Sequence, residues 1–369
     1  VVVRLAIVFG MLGLFQATLG PLIPLLRDRD DLSPATAGLL VTGFFGGCLV
    51  STAVGGALTD RWARGPLYVV SSVLLLVGLG LLALPTAWPW PPLAVAVGGL
   101  GFGGLVLIVN TVMATRGLTY VNLVNGTYGL GAAAGPALIS LTHGGVLFAV
   151  LAAGILVSLP WTVPETAPVA EAGMTTERER LRLSLPLVLF CAMLFCYAGV
   201  ETGLSSWEAT HLRAHGYSAN TAAALTSLFW LGLAGGRLLV PLVTRNWSPP
   251  RLIVTALLAC GAGLSVIAFA FSAPAGFLLL GVCVGPIFPA TLAWIARTLP
   301  HPRRVNAAVL TVAMLGNAAV PALIGYGLQA TSVLALPLFV AVALAGCLGI
   351  AVALRAKARE RQGVSQGTV

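Results

Sequence analysis

Tyr197-Ala198-Gly199-Val200-Glu201-Thr202-Gly203-Leu204-Ser205-Ser206-Trp207 lies inside an apolar run that reaches from Ser184 to Leu212. A helix rises about 1.5 Å per residue, and about 20 apolar residues cross the hydrocarbon core of a bilayer. The run is therefore long enough to span a membrane. Within it Glu201 stands out, because a carboxylate in lipid costs several kcal/mol unless something compensates it. It reads as the only carboxylate well inside a spanning segment, and so as a functional acid.

The composition extends this reading to the whole chain. The 369 residues are 58% hydrophobic and only 8% charged, with a mean hydropathy of +0.98. A soluble domain carries about a quarter charged residues. Twelve helices of about 20 residues would take about 240 of them, which leaves loops and no soluble domain. The runs are Val3–Leu26, Pro34–Leu58, Leu67–Leu84, Leu93–Thr115, Leu118–Ser140 and Val146–Val163. After a polar linker come Ser184–Leu212, Asn220–Val243, Leu252–Phe271, Pro274–Thr298, Val305–Ala330 and Val333–Leu354. The first run leads straight into the others, so it reads as a span and not as a cleaved signal.

The expected fold is an all-α membrane protein of twelve transmembrane helices in two six-helix, pseudo-symmetric halves. Residues 1–163 form the first half, 164–183 a cytoplasmic linker, 184–356 the second half and 357–369 a cytoplasmic tail. Weak repeats support the duplication. Gly55-Gly56-Ala57-Leu58 is echoed by Gly235-Gly236-Arg237-Leu238, and Pro136-Ala137-Leu138-Ile139 by Pro321-Ala322-Leu323-Ile324. Gly104 and Gly285 precede Arg116 and Arg297 at matching distances.

The net charge of +9 comes from 20 Lys and Arg against 11 Asp and Glu. The basic residues sit in short loops, which points to membrane topology and not to nucleic acid. With the N-terminus in the cytoplasm, only Arg27, Arg29 and Arg213 of the 20 face outward. Arg237 counts among the cytoplasmic ones, and no basic residue is assigned to a span interior. The protein is expected in a bacterial cytoplasmic (inner) membrane, as a monomer with both termini inside and the lipid bilayer as its surroundings.

The absences narrow the function. There is no P-loop, His-Glu-x-x-His or Gly-x-Ser-x-Gly, and Lys357 is the sole lysine. The six cysteines lie in apolar runs without paired spacing. The four histidines (His143, His211, His215, His301) read as loop residues. The chain is expected to be no enzyme, with no metal and no cofactor. A polar-lined bundle without ATP chemistry is left with moving a solute across the membrane.

Gly56-Ala57-Leu58-Thr59-Asp60-Arg61-Trp62-Ala63-Arg64-Gly65 resembles the loop 2–3 signature of the major facilitator superfamily, Gly-x-x-x-Asp-Arg-x-Gly-Arg-Arg/Lys. Ala63 replaces a glycine, and Gly65 stands where a second basic residue is usual. The resemblance implies a conformational latch formed by Asp60, Arg61 and Arg64. More narrowly, Asn122 to Pro136, Tyr197 to Trp207 and Gly281 to Pro289 are similar to helices 5, 7 and 10 of the fucose–proton symporter family and its glucose-transporting relatives. That likeness implies a sugar-like solute carried by alternating access. Two departures matter: Asn125 replaces a histidine, and Gln16 and Asn110 stand in helices 1 and 4, where the fucose carrier has acids. Gly131-x-x-x-Gly135-Pro136 also partly fits the motif of drug–proton antiporters, and multidrug efflux is the alternative. Small residues packing helices together explain those glycines equally well.

Amides, hydroxyls and aromatics inside spans suit a neutral polyol. The candidate solute-binding residues are Gln16, Asn110, Asn125, Tyr128, Tyr197, Trp230, Trp294 and Asn317, each of which could instead bind helix to helix. Tyr197, Glu201, Ser205 and Glu208 recur on one helical face. Counted from Ser184, Glu201 falls in the outer half of the membrane and Glu208 at its outer edge. Glu201 is the expected ion-coupling residue, exchanging a proton or binding sodium as the solute moves.

Overall fold

The computed structural model describes residues 2–58, 64–114, 116, 118–142, 145–162, 184–299 and 302–366. The 164–183 linker, Asp60 and Arg61 lie outside the described residues, as does the side chain of Arg64. Fifteen α-helices follow in order among the described residues. The first half holds α1 (Val2–Ala17), α2 (Leu19–Asp30), α3 (Pro34–Leu58), α4 (Arg64–Ala83), α5 (Trp90–Ala114), α6 (Leu118–Thr142) and α7 (Gly145–Thr162). The second holds α8 (Leu185–Ala214), α9 (Ala219–Leu225), α10 (Ser227–Val243), α11 (Pro249–Ile267), α12 (Ala273–Val284), α13 (Ile287–Thr298), α14 (Pro302–Ala330) and α15 (Leu336–Gln366).

Three pairs are single spans with a break. Between α1 and α2 the axis bends by 40°. There Thr18 Oγ1 donates to the Phe15 carbonyl at 2.6 Å, and Pro21 and Pro24 lack the N–H that would continue the helical ladder. Thr226 breaks α9 from α10 in the same way, its Oγ1 donating to the Ala223 carbonyl at 2.7 Å. Gly285-Pro286 separates α12 from α13. Counting each pair once gives six helical elements per half, twelve among the described residues.

The pairings inside the halves repeat. In the first, α1 packs on α6, α3 on α5, α4 on α5 and α4 on α7. In the second the equivalents recur: α8 on α14, α10 on α12, α11 on α12 and α11 on α15. Small residues permit the closest of these. A Cβ on Gly47 of α3 would lie 2.2 Å from the Ala96 carbonyl oxygen of α5, and one on Gly232 of α10 would lie 2.2 Å from that of Leu278 on α12. In lipid, where apolar burial gives no net drive, such backbone approach is what associates helices.

The halves meet along α2–α8, α3–α14 and α6–α10. At the end opposite the termini the seam is tight. A Cβ on Gly20 would sit 2.1 Å from the Ser205 carbonyl oxygen. Thr42 Oγ1 donates to the Ala318 carbonyl at 2.9 Å. Asp28 and Arg213 form an ion pair across the same seam. Toward the end that bears the termini, Asn125 of α6 and Arg237 of α10 are exposed although both lie within helices.

Several expectations need correction. Arg237 lies six residues before the end of α10, inside the apolar span Ala219–Val243, so a span does hold a basic residue. Helix α8 runs two residues past Leu212, to Ala214, and Glu201 lies just beyond its midpoint. Glu208, expected at the outer edge, is fully buried in the protein, more so than Glu201. His211 is likewise buried within α8, its two ring nitrogens 3.2 and 3.0 Å from the carbonyls of Val333 and Ile267. The basic tail continues helically in α15 to Gln366.

Candidate solute and ion site

Helix α8 carries the centre of the site. Ser184 caps it, its hydroxyl accepting from the Leu187 N–H, with Pro186 in the first turn. Tyr197 and Glu201 are one turn apart, and the Tyr197 hydroxyl donates to Glu201 Oε2. Arg237 reaches in from α10, its Nη2 lying 3.3 Å from Glu201 Oε1 and 3.2 Å from Oε2. The pair is still reachable from the open side, with 38% of the Arg237 side chain and 19% of the Glu201 side chain accessible. Arg237 also lies beside the Tyr197 hydroxyl, and Tyr128, on α6 of the other half, is within electrostatic range of the pair. Tyr128 donates to Gln16 Oε1 of α1 at 2.5 Å.

The structure thus gathers Gln16, Tyr128, Tyr197 and Glu201 of the expected residues into one cluster between the halves. It adds Arg237, expected only as a cytoplasmic charge at the end of its span. A small cavity with room for about one water adjoins the cluster, lined by Gln16, Thr202, Ser205 and Trp230 among others. Trp230 is buried, and its Nε1 has no partner among the described residues. Asn110 and Asn125 pair with each other at 3.3 Å and also bond back to their own helices. Asn317 Oδ1 accepts from Thr202 Oγ1 at 2.7 Å and ties α14 to α8. Trp294 packs edge-on against Phe190 in the core and joins none of this.

Glu208, two turns along α8 from Glu201, is the second surprise. It is 0% exposed, and neither carboxyl oxygen has a hydrogen-bond partner among the described residues. Its position beside Trp207 and Ser205 places it at the sealed part of the seam. Its spacing on the Glu201 face was visible in sequence, but its burial was not.

Two repeated six-helix halves, with an ion-paired polar cluster between them and one end sealed, define an integral membrane transporter. The chain belongs to the Major Facilitator Superfamily, whose family model matches residues 5–321. The cyanate transport protein CynX of Escherichia coli (strain K12) is 27% identical over 259 residues, 65% of each chain. The match thus spans less than two thirds of that relative. Among solved structures, the nucleoside transporter NupG superposes with a TM-score of 0.74 at 14% identity, over 96% of this chain and 98% of that one. FucP in its outward conformation gives 0.63 at 15% identity, over 96% and 98%. At such identities the likeness is one of fold.

Proposed function

We propose that this chain is a secondary active transporter that moves a small polar solute by alternating access. The solute would bind at the cluster of Gln16, Tyr128, Tyr197, Glu201 and Arg237, and Glu201 would couple its movement to a proton or sodium ion. The observation that carries this reading is the Arg237–Glu201 pair, set near mid-helix between two halves sealed at one end only. A site reachable from one side at a time is what a carrier needs and a channel lacks. The basic loops put the open side in the cytoplasm, so the conformation would be inward-facing.

The expectation of a sugar rested on amides and hydroxyls and on a lack of base inside the spans. The amides and hydroxyls remain, and NupG and FucP share the fold. Arg237 removes the second ground, so charged polar solutes enter the class, and the cyanate named for CynX is one of them. Multidrug efflux gains no support, since a lipophilic cation would meet a guanidinium. Asp60, Arg61 and Arg64 stay proposed as the latch of the superfamily.

The test is counterflow in proteoliposomes with a cysteine pair, Thr42→Cys with Ala318→Cys, on α3 and α14. A disulfide between them should hold the seam shut and stop exchange, and reduction should restore it. Exchange that continues unchanged in the oxidised protein would sink the alternating-access reading.

A further inference from the structure

We infer that the carried solute is a small monoanion bound by Arg237, and that one proton travels with it on Glu201. This rests on the carrier reading above and adds to it the substrate class and the coupling ratio. The starting point is the quality of the ion pair. A charge-assisted N–H···O bond is normally about 2.7–2.9 Å and often bidentate in the fork of a guanidinium. Here only Nη2 reaches Glu201, and both contacts are longer, at 3.3 and 3.2 Å. A guanidinium has five donors, and this one leaves 38% of its side chain exposed. Burying a cation is costly, yet this one is held by a single nitrogen at long distance and keeps part of its side chain exposed. That is the arrangement of a site able to trade its internal carboxylate for an external one.

Charge accounting then fixes the coupling. The empty site holds Arg237 and Glu201 and is neutral. Arginine does not release its proton in proteins, so Arg237 is a fixed positive charge and Glu201 is the exchangeable partner. An anion entering alone would leave the site with a net negative charge as the halves close around it, in surroundings where an unbalanced charge costs several kcal/mol. An anion entering with a proton leaves it neutral. The proton moves from water on the open side to a Glu201 oxygen, and the Arg237–Glu201 contacts break. The anion becomes the counterion of Arg237, and release on the far side reverses each step. A cation would leave a net positive charge with no group able to absorb it. The other titratable groups facing the pair are Tyr197 on α8 and Tyr128 on α6. The Tyr197 hydroxyl, now bonded to Glu201, and the Tyr128 hydroxyl are placed to hold the Glu201 carboxyl and the bound anion apart.

The experiment uses the full chain in liposomes, with cyanate and lactate as anionic probes and fucose and uridine as neutral ones. The expected result is uptake of an anion driven by an inward proton gradient and unchanged when valinomycin and potassium clamp the voltage. Glu201→Gln should keep anion exchange and lose the response to the proton gradient. Arg237→Gln should weaken anion binding by about thirtyfold or more at every pH. The double variant Glu201→Gln/Arg237→Gln leaves no orphan charge, so it should fold, and it too should fail to bind the anion. Saturable counterflow of fucose or uridine in the double variant, with neither anion bound by the wild type, would overturn the proposal and leave the carrier reading standing. Flux without counterflow would overturn both.

Discussion

Arg237 Nη2 stands 3.2 Å from Glu201 Oε2, joining α10 to the middle of α8 where no other base was expected. The two charges came out of water together, so removing one strands the other. Truncating one member of a fully buried pair costs about 3–5 kcal/mol, and partial exposure here reduces that to about 1–3 kcal/mol. Arg237→Gln and Glu201→Gln should each lower the unfolding temperature in detergent. The double variant should lie above the lower of the two singles. If the losses simply add, the pair is not coupled.

Gly20 and Ser205 hold the seam at its tightest point. A methyl group on Gly20 would stand 2.1 Å from the Ser205 carbonyl oxygen, a distance that no side-chain adjustment relieves because both atoms are tied to backbone. Gly20→Ala should therefore push the halves apart at the end opposite the termini and leave each half intact. The measurement is disulfide yield in the Thr42→Cys/Ala318→Cys pair, which should fall several-fold when Gly20→Ala is added. An unchanged yield would mean that the seam closes without this contact.

What the sequence disclosed follows from which signals are one-dimensional. Span length, loop charge and the echo between Pro136 and Pro321 are properties of a string, and they led to twelve helices in two halves. The polar cluster was legible in part, because Tyr197 and Glu201 share a face by simple periodicity and Gln16 is an amide in an apolar run. Arg237 was misread because a base near the cytoplasmic end of a span looks like a topology charge; the run to Val243 was visible, but the packing of α10 that brings Arg237 to Glu201 of α8 was not. Glu208 was misread for the related reason that burial depends on neighbouring helices, which rise around α8 beyond its middle. Asn317 and Trp294 could not be told from cavity residues, since a helix-bridging amide and a core indole have the same sequence signature as a ligand contact.

Glu208 is buried, and neither of its oxygens has a partner among the described residues. Such a group should cost stability while the seam is closed. Replacing it by Leu, of similar length and without polar atoms, should stabilise the closed form by about 1–3 kcal/mol. A thermal-shift measurement should show Glu208→Leu melting above the wild type and Glu208→Gln no lower than it. A drop of several degrees in both would show that the carboxylate has a partner holding it in place.

Tyr128 and Gln16 join α6 to α1 through one hydrogen bond of 2.5 Å, and Tyr128 lies within electrostatic range of Arg237. Tyr128→Phe keeps the ring packed on Phe9, at 5.7 Å between centroids, and deletes only the hydroxyl. The loss should be about 1 kcal/mol of stability. Gln16→Leu should cost a similar amount. Because the two residues share the bond, the double variant should lose less than the sum, by about 0.5–1 kcal/mol. Solute affinity should fall with Tyr128→Phe about as much as with the double variant, since the Tyr128 hydroxyl is gone in both. Isothermal titration across the four proteins tests this. Strict additivity in stability would make the Tyr128–Gln16 contact incidental, and unchanged affinity would remove Tyr128 from the site.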